Sequence, residues 1–359
     1  MPARPTPPSL EAVARAARVS KATASLALNH RTGPAAATRR AVLAAAARLG
    51  YRPNPLITAY QAHVRNRRPP AYQANLAWVN DYPERNFWYA LSWTDGYIQG
   101  ARDRARELGF QLEEVHVGDH AGTPLSAAGI RRLAQVLRHR GLCGLILPWL
   151  KFPELADEEW TDFSVAMIGR NTHPGPHQDG PLDPPFFHHV NPDAFHNLRL
   201  AWNRMRLRGR RRIGLVLNRG NDLLGDTQQR SCYLVLQSEI SPRDRLPALL
   251  LPDDPGREIL PTFWAWFDRH EPDAVLLYHG TICRELERRH GDRVAGVQLN
   301  LTRENPAAFG IDTRHPEIGA AAVDLVVSQL HTNERGRPRN AREVLIKGHW
   351  RETPGRAGE

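Results

Sequence analysis

The positive charge of this chain is concentrated in its first fifth. Residues 1–72 contain twelve Arg or Lys residues and one acidic residue, Glu11, whereas the other 287 residues contain 36 basic and 37 acidic ones. The first segment therefore carries a net charge of +11 and the remainder a net charge of −1. This partition is typical of a small nucleic-acid-binding domain attached to a nearly neutral body. A disordered basic tail is the alternative, but the segment is regularly patterned and not of low complexity.

The length of 359 residues, with 41% hydrophobic and 24% charged residues, indicates a soluble protein of two or three domains. The three cysteines have neither a disulfide framework nor metal-ligand spacing, which favours a reducing cytoplasm: Cys143, Cys232 and Cys283. No apolar run approaches ~18 residues, and the first residues lack the apolar centre of a signal peptide. We therefore expect a cytoplasmic protein without a membrane partner, associated with the nucleoid when it is bound to DNA.

Three short helices are predicted in the basic segment. Ser9 is the expected N-cap of the first, and the apolar residues that follow recur at helical spacing: Leu10, Val13, Ala14 and Ala17. A tight break is predicted at Arg18-Val19, after which Ser20 caps a second helix. The buried face of the second helix is expected to contain Ala24, Ala27 and Leu28.

The third helix is predicted over residues 35–49 and ends at Gly50. Its buried face is expected to contain Val42, Leu43, Ala46 and Leu49. Three short helices with a three-residue turn between the first two predict a helix-turn-helix. A three-helix bundle with another role is the alternative. The charge and the hydroxyl-rich start of the second helix favour DNA.

The segment SLEAVARAARVSKATASLALNHRTGPAAATRRAVLAAAARLGYRPNP resembles the head of the LacI/GalR repressor family, most specifically in VSKAT, the following ALN, and RLGYRPNP. The resemblance implies a DNA reader whose second helix lies in the major groove. It implies that base edges are faced by Lys21, Ala22 and Leu26. Phosphates would be held by Ser20, Thr23, Ser25 and Asn29, and Tyr51 would pack at the entry to a hinge.

Three positions depart from the family pattern. Arg18 replaces the usual turn glycine, so a positive φ there would carry a small penalty. Leu26 stands where arginine is frequent, and Ala22 is small, so guanine recognition by a bidentate arginine is missing. We hypothesise that these two side chains contact thymine methyl groups and that Lys21 is the main polar reader.

Residues 54–72 are interpreted as a hinge helix and linker. The resemblance implies a helix that folds on DNA, pairs with its twin in a homodimer, and inserts an apolar side chain into the minor groove, which kinks the duplex. Tyr60 stands at the wedge position, with Leu56 one turn earlier. A basic linker without groove contact is the alternative. Under either interpretation, phosphate contacts are expected from Arg65, Arg67 and Arg68.

The body alternates apolar runs with amphipathic stretches. Strands are predicted at residues 76–80, 112–117, 142–147, 165–169, 213–218, 248–251, 274–278 and 294–299. Helical patterns lie between them, including residues 92–108, 126–140, 194–208, 227–239, 261–269 and 315–330. This alternation predicts parallel sheets covered by helices. The expected fold class is α/β, with a small all-α head and two doubly wound parallel-sheet subdomains of periplasmic-binding-protein-like type.

The family resemblance continues, less tightly, through QGARDRARELGF, GLCGLIL, EPDAVLLYHG and the terminal VLIKGHW. It implies a head at 9–53, a hinge at 54–72, and an effector-binding and dimerisation domain at 73–359. Within that domain we expect a cleft that holds a ligand between two subdomains. The expected subdomains are 73–188 with 313–337, and 189–312 with 338–359.

Effector contacts follow from the same resemblance. Arg230 aligns with the arginine that clamps effectors in sugar-responsive members, and its fixed fork of donors suits hydroxyls or a carboxylate. The family's acidic pairs appear here as His279-Gly280 and Leu299-Asn300, which weakens the case for a plain sugar. Where the first strand opens onto the cleft, the sequence has four aromatics that are candidates for a platform on which a pyranose ring stacks: Phe87, Trp88, Tyr89 and Trp93. The alternatives are that these aromatics pack a helix onto the sheet and that Arg230 is only a surface or ion-paired arginine.

Sequence motifs for nucleotide binding, nucleophilic catalysis and zinc proteolysis are missing, so we predict no enzyme and no cofactor. Five histidines are close together in the sequence, and we interpret them as part of a solvated loop and not as a metal site: His173, His177, His188, His189 and His196. The prediction is a homodimeric transcription regulator, by family default a repressor. Its partners would be a pseudo-palindromic operator and a small molecule such as a sugar or sugar derivative. The alternatives are a regulator without a functional cleft and an enzyme or carrier built on a sugar-binding clamp.

Overall fold

The computed structural model describes residues 9–28, 35–49, 51, 74–80, 89, 92–116, 127–148, 157–169, 187–225, 227–253, 259–304, 307 and 309–352. Asn29, Leu56, Tyr60, Phe87 and Trp88, among the predicted site residues, lie outside these ranges. Within them, no helix combines the length and the apolar character needed to cross a membrane.

The head consists of three helices, α1 (Leu10–Ala16), α2 (Lys21–Leu28) and α3 (Ala36–Leu49). Ser9 caps α1 as predicted, because its Oγ accepts a hydrogen bond of 3.2 Å from the amide of Ala12. The shared core is made mostly of alanine, which lets short helices approach closely. Its buried members are Val13, Ala14, Ala24, Ala27, Val42, Ala45 and Ala46.

The predicted inner face of α3 is wrong at two positions. Leu43 and Leu49 are 39% and 37% exposed, whereas Ala45 is buried. Val42, Ala45 and Ala46 follow the i, i+3, i+4 spacing of one face, and Leu43 is rotated away from it by about 100°. Leu49 is the last residue of the helix. The small alanine side chain, not the larger leucines, faces the head core.

The first sheet of the body contains six parallel strands. They are β1 (Ala74–Asn80), β2 (Phe110–His116), β3 (Gly144–Pro148), β4 (Ser164–Ile168), β5 (His188–Pro192) and β11 (Glu343–Ile346). Their order across the sheet is β11-β5-β4-β3-β1-β2. Alternate residues of β1 enter different cores: Leu76 and Trp78 enter one cluster, and Ala77 and Val79 enter another. Both faces of this sheet are therefore buried.

The second sheet also has six strands, of which five are parallel. They are β6 (Ile213–Asn218), β7 (Leu249–Leu251), β8 (Ala274–Leu277), β9 (Ala295–Gln298), β10 (Phe309–Asp312) and β12 (His349–Glu352). Their order is β12-β10-β9-β8-β6-β7, and β12 is antiparallel to β10. Val216 and its neighbour Leu217 belong to different core clusters, so this sheet is also buried on both faces.

Eight further helices lie within the described residues of the body. They are α4 (Ser92–Glu107), α5 (Ala127–His139), α6 (Ala194–Leu207), α7 (Arg219–Leu224), α8 (Gln228–Ser238), α9 (Ile259–His270), α10 (Gly280–His290) and α11 (His315–Thr332). We call the first sheet with α4, α5 and α11 the first lobe, and the second sheet with α6–α10 the second lobe. The fold class predicted from the sequence, with two doubly wound parallel sheets, is confirmed.

The eight predicted strands are all present, but four others were missed. β5 begins with two histidines that do not suggest a buried strand, and β10 has the sequence FGID, in which a glycine and an aspartate interrupt the apolar pattern. β11 and β12 are edge strands with exposed residues, so they lack the apolar run of a central strand. Helices α7 and α10 were also not among those named from the sequence.

The chain crosses between the lobes three times: at Asp193 after β5, at Thr313-Arg314 before α11, and at Lys347-Gly348 between β11 and β12. From the sequence we expected the chain to leave the first lobe after residue 188 and again after residue 337. The structure places these crossings later, at Asp193 and at Lys347-Gly348. Because β5 and β11 hydrogen-bond to each other, and β5 to β4, both strands belong to the first sheet.

Helices α4 and α11 approach backbone to backbone at two glycines. A Cβ on Gly319 would lie 1.9 Å from the Tyr97 carbonyl oxygen, and one on Gly100 would lie 1.9 Å from the Pro316 carbonyl oxygen. No side chain fits at either place without moving backbone. The two helices therefore depend on glycine for their separation.

Replacing Gly319 by alanine is expected to lower the free energy of unfolding by roughly 2 kcal/mol or more, because the added methyl overpacks a rigid contact. Urea denaturation of G319A against the wild type measures this change. Ser328→Ala, at an exposed site on the same helix, is the matched control and is expected to stay within about 0.5 kcal/mol of the wild type. Equal stabilities of G319A and S328A would contradict the close-packing argument.

Candidate DNA interface and ligand cleft

The turn between α1 and α2 has the backbone conformation that the sequence predicted. Arg18 adopts a φ of 54°, in the left-handed region. The amide of Val19 donates to the carbonyl of Ala14 at 3.0 Å, and the Val19 side chain packs against the head core. The turn therefore holds α2 against α1 at the cost of a strained arginine.

The start of α2 is capped by its own hydroxyls. Ser20 Oγ accepts a hydrogen bond of 3.0 Å from the amide of Thr23 and lies 2.8 Å from Thr23 Oγ1. Lys21 is exposed, and the first turn contains no acidic residue. The positive end of the helix dipole is therefore not opposed by a carboxylate in its own first turn, which suits a phosphate.

The backbone of α2 places positions 22, 25 and 26 opposite its buried face, since Ala24 and Ala27 are fully buried. Lys21 lies beside that face, and Thr23 at its edge is half-buried. Tyr51 packs against the head core, and its amide donates to the carbonyl of Ala46 at 2.9 Å. The predicted reading residues Lys21, Ala22, Ser25 and Leu26 thus share one side of α2.

Arg230 lies at the carboxyl-terminal edge of the second sheet, in the first turn of α8. Its Nε is 3.0 Å from Oδ2 of Asp222, which belongs to α7 directly after β6. The Asp222 side chain is only 2% exposed. Burial raises the pKa of Asp222, and the nearby Arg230 offsets part of that rise. Arg230 is therefore ion-paired, as in the alternative interpretation of this residue. Nothing in the sequence pattern indicated Asp222 as its partner.

Tyr278, which neighbours this pair in the second lobe, interacts with an aromatic cluster of the first lobe. Gln229 donates a hydrogen bond to the hydroxyl of Tyr278, and Tyr278 lies close enough to Tyr97 of α4 to interact with it electrostatically. The ring centroid of Tyr97 is 4.8 Å from that of His315, and Trp93 lies 6.4 Å from Tyr97. Burial raises the pKa of Tyr97 and lowers that of His315 to about 4, so both stay uncharged near neutral pH.

Only Trp93 of this cluster was predicted. Tyr278 ended a predicted strand and His315 opened a predicted helix, but nothing in the sequence indicated that they meet. Tyr89, predicted to belong to the platform, is 40% exposed and instead donates to Glu114 of β2 and accepts from Arg102 of α4. Tyr89 thus follows the alternative reading, in which the aromatics pack a helix onto the sheet.

The other two predicted effector residues lie at neighbouring strand ends. His279 directly follows β8, and burial lowers its pKa. Asn300 follows β9, and its Oδ1 accepts a hydrogen bond of 2.9 Å from Thr313 Oγ1 in the second crossing. The structure therefore brings Arg230, His279 and Asn300 to one edge of the second sheet, where open α/β folds bind ligands.

A direct contact between the lobes involves Glu304 and the first residue of α4. The Glu304 carboxylate accepts hydrogen bonds from the Ser92 amide at 2.9 Å and from Ser92 Oγ at 2.6 Å. Burial alone would raise the pKa of Glu304, but the Ser92 hydrogen bonds outweigh burial and hold the pKa at about 2. A carboxylate of the second lobe thus caps a helix of the first.

Of the five histidines interpreted as a solvated loop, His173 and His177 lie outside the described residues, and the interpretation is wrong for the other three. His196 lies in α6 and is half-buried. His188 and His189 are buried in β5. His188 Nδ1 accepts from the Arg342 amide at 2.9 Å, and its Nε2 is 3.0 Å from Glu334 Oε1. Among the described residues, no group of three or more His, Cys, Asp or Glu side chains is placed to hold a metal.

A helix-turn-helix head, followed by two parallel α/β lobes that the chain crosses three times, defines the class of DNA-binding regulators with a periplasmic-binding-protein-like body. The family model described as bacterial regulatory proteins, lacI family, matches residues 9–54. This match covers the head alone, and it confirms the resemblance seen in that segment of the sequence. No curated protein sequence matches it.

Solved structures of regulators share the fold over three quarters of the chain or more. The transcriptional regulator CelR–cellobiose complex is 21% identical, covers 96% of this chain and 98% of its own, and has a TM-score of 0.53. The lac repressor dimer bound to operator and the anti-inducer ONPF is 17% identical, with the same coverage and TM-score. The trehalose repressor from Escherichia coli is 15% identical and covers 77% of this chain and 99% of its own, with a TM-score of 0.54.

Replacing Arg18 by glycine is expected to raise the stability of the head by up to about 1 kcal/mol, because glycine adopts a positive φ without the Cβ clash. Amide hydrogen exchange of the head in the full chain measures the change. Arg15→Gly, in the regular part of α1, is the matched control and is expected to lower stability by about 1 kcal/mol. A loss of protection in both variants would show that the turn is not strained.

Replacing Glu304 by glutamine is expected to lower the melting temperature at pH 7, since the amide cannot accept both Ser92 hydrogen bonds as a carboxylate does. The pKa of Glu304 is depressed from its usual 4.5 to about 2, so its contribution is complete above pH 4.5. The difference between wild type and E304Q should therefore shrink as the pH falls from 4.5 toward 2.

Thermal melts across this pH range test the expectation. Glu107→Gln removes an exposed ion pair with Arg104 at the other end of α4 and serves as the control. A gap between wild type and E304Q that stays constant with pH would refute the assignment to the ionised carboxylate.

Proposed function

We propose that this protein is a homodimeric transcription regulator of the cytoplasm that binds a pseudo-palindromic operator through α2. A small molecule held between the lobes changes its affinity for DNA. The observation that carries the proposal is the lacI-family head at residues 9–54, within a segment whose net charge is +11. Repression by occupancy of a promoter is the mode we expect of it, and no enzymatic step is part of the proposal.

The DNA contacts proposed here follow the side of α2 that lies opposite the buried Ala24 and Ala27. Lys21, Ala22 and Leu26 are proposed to face base edges in the major groove. Phosphates are assigned to Ser20, Thr23, Ser25 and Asn29, and the hinge contacts to Tyr51, Leu56 and Tyr60. Support comes from the capped N-terminus of α2, its exposed lysine and the lack of an acidic residue in its first turn.

The ligand is proposed to bind at the carboxyl edge of the second sheet, facing α4 of the first lobe. The proposed contacts are Phe87, Trp88, Arg230, His279 and Asn300. Support comes from the position of Arg230, His279 and Asn300 at one sheet edge and from the uncharged aromatic cluster beside them. The similar CelR and lac repressor structures contain cellobiose and ONPF, respectively.

Coupling between ligand and operator is proposed to act through the crossings. A ligand that favours one relative position of the lobes shifts operator affinity by its differential binding energy, typically ~1–3 kcal/mol. The Ser92–Glu304 hydrogen bonds are one contact that such a shift would strengthen or break. The first lobe, which follows the hinge in sequence, would pass the change to the paired heads.

Selection of DNA sites from a random duplex pool by the full-length protein tests the proposal. We expect an enriched sequence with two-fold symmetry and an affinity that falls steeply with salt concentration. Lys21→Ala is expected to weaken binding to the selected site about tenfold or more and to relax its sequence preference.

Arg131→Ala removes one exposed positive charge from α5 of the body and is the matched control, expected to leave binding unchanged. Failure to enrich any sequence at modest salt concentration would reject the proposed function. Equal affinities of K21A and R131A would reject the assignment of α2 as the reader.

A further inference from the structure

The carboxyl edge of the second sheet contains buried polar atoms without hydrogen-bond partners. Among the described residues these atoms are Asp222 Oδ1, His279 Nε2, and both side-chain polar atoms of Gln298. Asp222 follows β6, His279 follows β8, and Gln298 ends β9, and these three strands are consecutive in the sheet. Because buried polar atoms are nearly always paired in folded proteins, such a group at a ligand-binding edge indicates a partner that comes from outside the chain.

Asp222 and Arg230 present complementary free atoms. Asp222 Oδ2 is engaged by Arg230 Nε at 3.0 Å, which leaves Oδ1 as an unused acceptor. Arg230 is 36% exposed, and its two terminal nitrogens make no hydrogen bond within the part of the chain that the structure describes. The free acceptor and the free donors thus belong to the same carboxylate and the same guanidinium that meet in this ion pair. The pair is neutral as a whole, since one carboxylate offsets one guanidinium.

The surroundings place this pair beside the junction of the lobes. Gln229, adjacent to Arg230, donates to Tyr278, which in turn lies near Tyr97 of the first lobe. Thr227, in the turn between α7 and α8, has a φ of 53° and makes no side-chain cap hydrogen bond. Strained backbone of this kind is concentrated at binding sites, and here it lies between the two charged residues.

We propose that Asp222 is a specificity-determining residue, which together with Arg230 selects an uncharged ligand with adjacent hydroxyl groups over an anionic one. This inference rests on the proposed function. Of two adjacent hydroxyls, one donates to Asp222 Oδ1 and the other accepts from the free Arg230 nitrogens. A carboxylate or phosphate gains the same arginine contacts but meets the buried negative charge of Asp222, whose repulsion is weakly screened. An unpaired arginine would favour the anion instead.

The test uses the full-length protein and a panel of matched compounds that differ in charge. Each set contains a neutral sugar, its uronic acid, its 6-phosphate and its 2-amino form, beginning with D-glucose, D-glucuronate, D-glucose 6-phosphate and D-glucosamine and extending to the galactose, mannose and cellobiose series. Thermal melts identify the series that binds. The neutral member is expected to raise the melting temperature, and its anionic forms at equal concentration are not.

Two variants then change the charge of the pair in opposite directions, with affinities measured by calorimetry. Asp222→Asn keeps the shape but leaves Arg230 uncompensated, so the neutral ligand should bind about tenfold or more weakly while the anionic forms bind more tightly. Arg230→Gln leaves the negative charge of Asp222 uncompensated, so the affinity for the cationic amino sugar should rise relative to the affinity for the neutral sugar. A purely structural role for Asp222 would lower all affinities together and leave their ratios unchanged.

Asp244→Asn is the matched control. Asp244 also pairs with an arginine of the second lobe, since its Oδ2 is 3.1 Å from Arg211 Nη2, but it lies before β7, at the opposite edge of the sheet. Its replacement should leave every affinity ratio unchanged. Circular dichroism and unliganded melting temperatures check that each variant is folded.

Three results would overturn the inference: an anion that the wild type binds as tightly as the neutral sugar, unchanged ratios in D222N, or a panel in which no compound raises the melting temperature. Operator binding is measured on the same preparations. Protein that binds its selected operator but gives any of these results refutes only the selectivity inference. Protein that binds no operator refutes the proposed function itself.

Discussion

The contact between α4 and α11 sets the position of the groups that the two lobes share. Gly100 and Gly319 allow the backbones of these helices to touch, and the same stretch of α4 carries Tyr97, whose ring contacts His315 at the start of α11. Ser92, at the other end of that stretch, reaches Glu304 of the second lobe. A pair of residues without side chains therefore determines where an aromatic cluster and an interlobe hydrogen bond are formed.

Local chemistry accounts for what could be predicted in the head. Ser9 and Ser20 cap helices, and Arg18 takes a positive φ, because each feature depends on a few neighbouring residues. The exposure of Leu43 could not be predicted in the same way. Whether a leucine or an alanine faces the core depends on how closely three helices approach, and that distance is set by all three together.

In the body, apolar runs predicted the central strands but not those whose stability comes from partners distant in sequence. β5 is buried although it begins with two histidines, because Glu334 and Arg342 satisfy the His188 ring. The candidate site shows the same limit. Arg230 could be identified from the family resemblance, whereas Asp222 lies in a six-residue helix without a recognisable pattern. Only the folded chain brings the Asp222 carboxylate to the arginine.

The third crossing has a consequence for how the lobes can move. Only Lys347 and Gly348 separate β11 from β12, and Gly348 is enclosed: its amide donates to Asn197 Oδ1 at 2.8 Å, and a Cβ there would lie 2.8 Å from the Asp312 carbonyl oxygen. A link this short and this tightly held allows little sliding of one sheet past the other. We therefore expect the lobes to move mainly by rotation about an axis near this link, with displacements that grow with distance from it and are largest on the far side of the cleft.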